Sequence, residues 1–248
     1  MRGDPGLAYA AVPGAWLILP TYNEAENIEA IVAAAREHLG AAGIEHRVLI
    51  VDDGSPDGTG QIADRLAAEQ HEVEVLHRPG KGGLGPAYLA GFARALEGGA
   101  DLVLEMDSDF SHDPADLPRL VAAAERADLV LGSRYVHGGG VADWGLLRRF
   151  VSRAGSAYAQ MVLRVPVRDL TGGFKCFRRS VLERLDLDRV HANGYAFQIE
   201  LTYRAARAGF TIEEVPIVFR DRRVGQSKMT PRIAIEAVWK VPSLRFRS

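Results

Sequence analysis

Cysteine is nearly absent: Cys176 is the only one in 248 residues. That excludes a disulfide framework and any multi-cysteine zinc or iron–sulfur centre. Long apolar runs are missing too. The longest uncharged stretch, 5–23, is interrupted by Pro5, Gly6, Pro13, Gly14 and Pro20. It cannot serve as a spanning helix, nor as a signal peptide with a basic start and an unbroken apolar core. There is no internal repeat, no low-complexity tract and no G-x-x-x-x-G-K-[ST] phosphate loop, which argues against a P-loop ATPase. What is present is an ordinary globular balance, 47% apolar and 25% charged. The length suits one large domain or two small ones.

The net charge of −2 conceals an asymmetry. Residues 1–144 carry 10 Lys/Arg against 23 Asp/Glu, and residues 145–248 carry 20 against 9. An acidic part suited to a cation and a basic part suited to an anion is one reading. An unevenly solvated surface is the other.

Five strand-length apolar runs start at residues 15, 47, 72, 101 and 128, the pitch of β-α units. Ile28, Ile31, Val32, Ala35 and Leu39 share one helical face between the first two runs. Asn23 precedes Glu26 at the spacing of a capping box. This pattern predicts an α/β fold, a mostly parallel sheet with helices on both faces. Beyond it, helices are expected over 146–163 and 197–208, strands near 173–177 and 211–219, and a last helix from Thr230 with Pro231 at its first position. No linker divides the chain. The expected organisation is a flexible segment 1–14 and one domain 15–248, with a donor- and metal-binding part 15–144 and an acceptor-facing part 145–248.

Each apolar run ends in polar residues. They are Thr21-Tyr22-Asn23-Glu24, Asp52-Asp53, Arg78 with Lys81, Asp107-Ser108-Asp109, and Arg134. A parallel sheet binds ligands at the carboxyl ends of its strands, so these residues should line one edge. Two carboxylates two residues apart can share a divalent ion and bridge it to a diphosphate. The pair Asp186-Leu187-Asp188 has the same spacing but reads as surface, and His112 reads as structural. Gly80-Lys81-Gly82-Gly83-Leu84-Gly85 is a literal G-x-G-x-x-G, which keeps a nicotinamide-dependent dehydrogenase open. The alternative is a loop presenting Lys81 and backbone amides to a nucleotide. Arg134, Arg148, Arg149, Arg153, Arg220, Arg222, Arg223 and Lys228 supply a basic cluster suited to phosphate.

Leu19–Glu24, Val51–Thr59 and Asp107–Asp109 together resemble the inverting family 2 glycosyltransferases of the GT-A fold. Arg78–Gly85, Gly132–Tyr135, Asp169–Lys175, Gly194–Gln198 and Arg222–Lys228 are similar to the polyprenol-phosphate (dolichol-phosphate) mannose synthases among them. The resemblance implies transfer of mannose from GDP-mannose to a polyprenyl phosphate, with UDP-glucose as an alternative donor. It implies guanosine contacts from Pro20, Tyr22, Glu24, Val51 and Asp53, with help from Lys81, and a place for Ser108 in the donor site. It implies Mg²⁺ or Mn²⁺ at Asp107, Asp109 and Ser111, the last standing where many relatives have Gln. Arg134, Arg148 and Ser152 would receive the lipid phosphate, and Arg222 and Lys228 would close over the donor phosphates. The resemblance counts Asp109, Arg134, Arg148 and Ser152 as catalytic, and Asp109 and Arg134 among the donor-binding residues as well. The acceptor is already largely ionised near neutral pH, so no general base is needed. The expected location is cytoplasmic, peripherally bound to the cytoplasmic face of a membrane through the basic C-terminal helix (Arg232, Trp239, Lys240, Arg245, Arg247), with a separate membrane protein as tether and no nucleic-acid partner.

Overall fold

The computed structural model describes residues 14–190, 194–221 and 241–245. The first half alternates strand and helix: β1 (Ala15–Thr21), α1 (Ile28–Ala41), β2 (His46–Asp52), α2 (Thr59–Glu69), β3 (Val73–His77), α3 (Leu84–Glu97), β4 (Leu102–Glu105), α4 (Leu117–Ala123) and β5 (Leu129–Ser133). Then follow β6 (Gly140–Val141), α5 (Leu146–Leu163), β7 (Lys175–Arg178), α6 (Arg179–Arg184), α7 (Tyr195–Arg207), β8 (Ile212–Pro216) and β9 (Val218–Phe219). Seven strands form one sheet in the order β3-β2-β1-β4-β7-β5-β8, and β6 pairs with β9 separately. In the large sheet β7 alone runs antiparallel to its neighbours.

Successive side chains of a strand point to opposite faces, and β1 shows how that builds two cores. Ala15, Leu17 and Leu19 enter a layer with α1, α2 and α4, while Trp16 and Ile18 enter the layer holding α3, α5, α6 and α7. Helix α3 lies very close to β1. A Cβ on Gly91 would stand 2.6 Å from Ile18 Cγ2, so this crossing needs glycine.

The capping box did not form. Helix α1 starts at Ile28, with Asn27 as the preceding residue and no side-chain cap. Asn23 instead takes a left-handed φ of 58°. Its amide donates to Ser55 Oγ at 3.0 Å, so the 21–25 segment serves a loop rather than a helix end. The expected C-terminal helix and the 222–228 loop lie outside the described residues, apart from the helical stretch 241–245.

Candidate active site

The chain winds outward from β1 through β2 to β3, then returns through α3 to place β4 on the other side of β1. Strand order reverses there, and the reversal opens a crevice beyond the carboxyl ends of β1 and β4. The segments leaving these strands meet directly. Ser108 Oγ donates to the Pro20 carbonyl oxygen at 2.7 Å. Thus residues 88 positions apart in sequence form one wall.

The 52–59 turn braces that wall. Asp57 accepts from Thr59 N at 3.0 Å, Thr59 Oγ1 at 2.6 Å and Ala25 N at 3.1 Å. These hydrogen bonds outweigh its partial burial and hold its carboxyl below the ordinary range. Thr59 Oγ1 in turn accepts from Glu24 N at 2.9 Å, and Glu24 Oε2 accepts from Asn27 Nδ2 at 3.0 Å. In the sequence Ser55, Asp57 and Thr59 stood out only as part of the Val51–Thr59 motif, not by these partners.

Asp53 is buried and accepts from Arg78 Nη1, Gly82 N at 3.0 Å and Gly83 N at 3.2 Å. This corrects the expectation that the Gly-rich loop offers its amides to a nucleotide. Two of them are spent on Asp53, and the loop is folded against β2. Lys81 remains on the outside, with its Nζ 4.3 Å from the centre of the Tyr22 ring. Val51 is also corrected. Its side chain is fully buried against Gly91 of α3, inside the layer rather than on the edge.

Beyond β4, Asp107 is one-third exposed while Asp109 is buried. Asp109 Oδ1 accepts from Ser111 N at 3.0 Å, and Ser111 Oγ is buried without a hydrogen-bond partner. His112 is structural, as expected. It stacks on Phe174 at 5.0 Å and meets Phe219 edge-on at 5.2 Å, and burial lowers its pKa to about 4. Asp186 sits on the surface with Arg189 at 3.0 Å, far more exposed than Asp109. Under the floor, Glu105 and Lys175 face each other across β4 and β7 at 4.0 Å, both fully buried. Burial raises Glu105 to about 7 and lowers Lys175 to about 8.

Arg134, at the end of β5, is itself buried. Its Nε and Nη2 grip Asp169 at 2.7 and 2.6 Å, and Nη2 also donates to Thr171 Oγ1 at 2.7 Å. The sequence placed Arg134 here but did not reveal this partner. Tyr135 OH donates to Ser152 Oγ at 2.7 Å, which ties β5 to α5. Arg148, one helical turn before Ser152, lies 4.1 Å over the Trp144 ring and 3.0 Å from Asp221 Oδ2. Arg134 and Ser152 are therefore joined through adjacent residues. Arg222 and Lys228 lie outside the described residues.

The model of the glycosyl transferase family 2 matches residues 16–186, well over half the chain and all of the crevice described above. The chain belongs to glycosyl transferase family 2. It is an enzyme of the GT-A fold, and the dehydrogenase reading falls. An undecaprenyl-phosphate mannosyltransferase of Micrococcus luteus is 48% identical over 90% of each chain. A polyprenol monophosphomannose synthase of Mycolicibacterium smegmatis is 48% identical over 93% of this chain and 86% of its own. Among solved structures, a glucosyl-3-phosphoglycerate synthase from Mycobacterium tuberculosis, crystallised with Mn²⁺, UDP-glucose and phosphoglyceric acid, superposes with a TM-score of 0.67. It is 21% identical, with 94% of this chain and 80% of that one covered, and the likeness concerns the fold.

Among the described residues no group of three or more His, Cys, Asp or Glu is placed to hold a metal. Two carboxylates and the unpartnered hydroxyl of Ser111 are nevertheless hard oxygen donors. They suit an ion that completes its shell with water and a diphosphate. The residues present fit such an ion.

Proposed function

We propose that this chain transfers mannose from GDP-mannose to a polyprenyl phosphate, releasing GDP and inverting the sugar. The 48% identity to two enzymes named for polyprenol-phosphate mannosylation, spanning nine-tenths of the chain, carries this reading. Pro20, Tyr22, Glu24, Asp53 and Lys81 would face the guanosine. Asp107, Asp109 and Ser111 would hold Mg²⁺ or Mn²⁺, and Ser108 fixes the wall beside them. The ion's contribution is to offset the diphosphate charge as GDP departs.

The chain's own residues would do the rest. Arg148 and Ser152, both half-buried on α5, would receive the acceptor phosphate. Arg134, locked by Asp169, would hold the β5 end in place and present positive potential beneath it. Arg222 and Lys228 would meet the donor phosphates. Fixing two anions within reach of one another is the main barrier, and pre-set cations lower it by positioning and electrostatics. A donor panel with a polyprenyl phosphate in detergent tests the reading. GDP-mannose should be turned over and UDP-glucose left. Preferred turnover of UDP-glucose would overturn the donor assignment.

Arg148→Ala should raise the acceptor KM by about tenfold, the size of one charge-assisted hydrogen bond. GDP-mannose affinity should stay within about twofold by calorimetry, since Arg148 meets only the acceptor. A loss of donor affinity with an unchanged acceptor KM would reassign it to the donor. The acceptor is lipid-borne, and among the described residues no helix is long and apolar enough to cross a membrane. Peripheral attachment at the cytoplasmic face, with a membrane protein as tether, completes the proposal.

A further inference from the structure

The edge strand beside β5 carries two consecutive glutamates that face opposite ways. Strand β8 runs parallel to β5, with Leu131 opposite Glu214 and Ser133 opposite Pro216. Side chains alternate along a strand, so Glu213 goes to one face, where it pairs with Arg126, and Glu214 goes to the other. There its carboxylate collects three donors. Oε1 accepts from Ser133 Oγ at 2.7 Å and from Asp169 N at 2.9 Å, and Oε2 accepts from Arg168 N at 2.9 Å. Ser133 is the residue before Arg134, and its Oγ also accepts from Tyr135 N at 3.4 Å. Asp169 is the residue that grips Arg134. It lies in the stretch 164–174, which contains no helix or strand, so no regular ladder pairs its amides at 168 and 169. One carboxylate therefore clasps both halves of the Arg134–Asp169 pair, 81 residues from Ser133 and 45 from Asp169 in sequence.

We propose that Glu214 is a positioning residue for Arg134: it pins the end of β5 and the 168–169 backbone to each other, so that the guanidinium is held in one place beneath the acceptor phosphate. A carboxylate suits this task because it is acceptor-only. A carboxamide would turn an N–H group toward one of the three donors. The brace matters because the pair is buried. Two charges taken out of water are offset only where their mutual geometry is closely kept. The three hydrogen bonds of Glu214 all go to protein groups, so it acts through Arg134 rather than on a substrate. The inference rests on the proposed transfer reaction for its catalytic consequence, not for its geometry.

The test is a double-mutant cycle on the full chain, with a second readout on Arg134 itself. Glu214→Gln should lower kcat by about fivefold, the scale of one hydrogen bond. In a background carrying Arg134→Met with Asp169→Leu the same substitution should cost less than about twofold, because no guanidinium is left to position. The Arg134 Nε–H, which donates to Asp169 Oδ2 at 2.7 Å, gives an NMR signal that this background lacks. Its exchange with water should be at least about fivefold faster in Glu214→Gln than in wild type, because the buried pair opens more often. Glu213→Gln, one residue away on the other face of β8, should match wild type in both readouts. An unchanged exchange rate overturns the proposal, whatever happens to Tm. So does an equal fractional loss of kcat in the two backgrounds, which would make Glu214 a general support of the fold. If the wild-type chain transfers no mannose to polyprenyl phosphate while Glu214→Gln still speeds the exchange, the brace stands and the enzymatic reading fails instead.

Discussion

Asp109→Asn is expected to lower turnover at least about a hundredfold, the scale of losing one pre-organised electrostatic stabiliser at developing charge. Asp109 is buried beside Ser111, and its Oδ1 already accepts from the Ser111 amide at 3.0 Å. Asp107, two residues earlier, and the Ser111 hydroxyl, buried without a hydrogen-bond partner, are further oxygen donors in the same segment. The amide keeps the shape but removes the negative charge, so the fold should survive while the ion is lost. The effect should therefore appear as a lower kcat with raised metal requirement, and EDTA should abolish wild-type turnover until Mg²⁺ or Mn²⁺ is restored. Asp186→Asn, in the surface pair of identical spacing, should change turnover less than about twofold. Full activity in EDTA, or equal losses from the two variants, would remove the metal from Asp109.

The contrast between these two pairs shows what a sequence can and cannot reveal. Spacing alone made Asp107–Asp109 and Asp186–Asp188 equivalent. The apolar run Leu102–Met106 before the first pair separated them, because a buried parallel strand delivers its end to the ligand edge. For the same reason the five runs of the first half became β1 to β5, and the helix expected over 146–163 is α5 with the same bounds. Contacts across long sequence separations were not legible. Asp169 reaches Arg134 from 35 residues away, and Gly82 reaches Asp53 from 29. The first depends on β7 running antiparallel between β4 and β5, and the second on the turn after β3 folding back over the end of its parallel neighbour β2, neither of which a local pattern encodes. Asn23 misled because a polar residue before Glu is equally at home in a left-handed loop position as at a helix cap.

The Arg134–Asp169 pair carries the second large effect. Asp169 is fully buried and Arg134 nearly so, and the carboxylate also accepts from the Arg134 amide at 2.9 Å. Burial alone would raise the Asp169 pKa, but the Arg134 charge and hydrogen bonds outweigh it and hold it below the ordinary 3.8. A depressed carboxylate stabilises the fold above its unfolded pKa and loses that contribution as pH falls through its folded value, so the pair is fully effective at neutral pH and lost in strong acid. Asp169→Asn leaves the guanidinium buried without its counter-charge, which costs about 3–5 kcal/mol. At roughly 2–4 °C per kcal/mol for a chain of this size, Tm should drop by about 10 °C at pH 7, with a smaller gap to wild type near pH 3. Glu213→Gln, breaking the exposed pair with Arg126, should shift Tm by no more than about 2–4 °C, because screening leaves such pairs worth less than about 1 kcal/mol. Arg134→Met with Asp169→Leu should recover most of the lost stability, since neither charge is then stranded. If Arg134 contributes its charge to the acceptor phosphate, that repaired double variant should melt like wild type yet remain slow by at least about tenfold. Normal turnover in the double variant would make the pair a brace for the β5 end and nothing more.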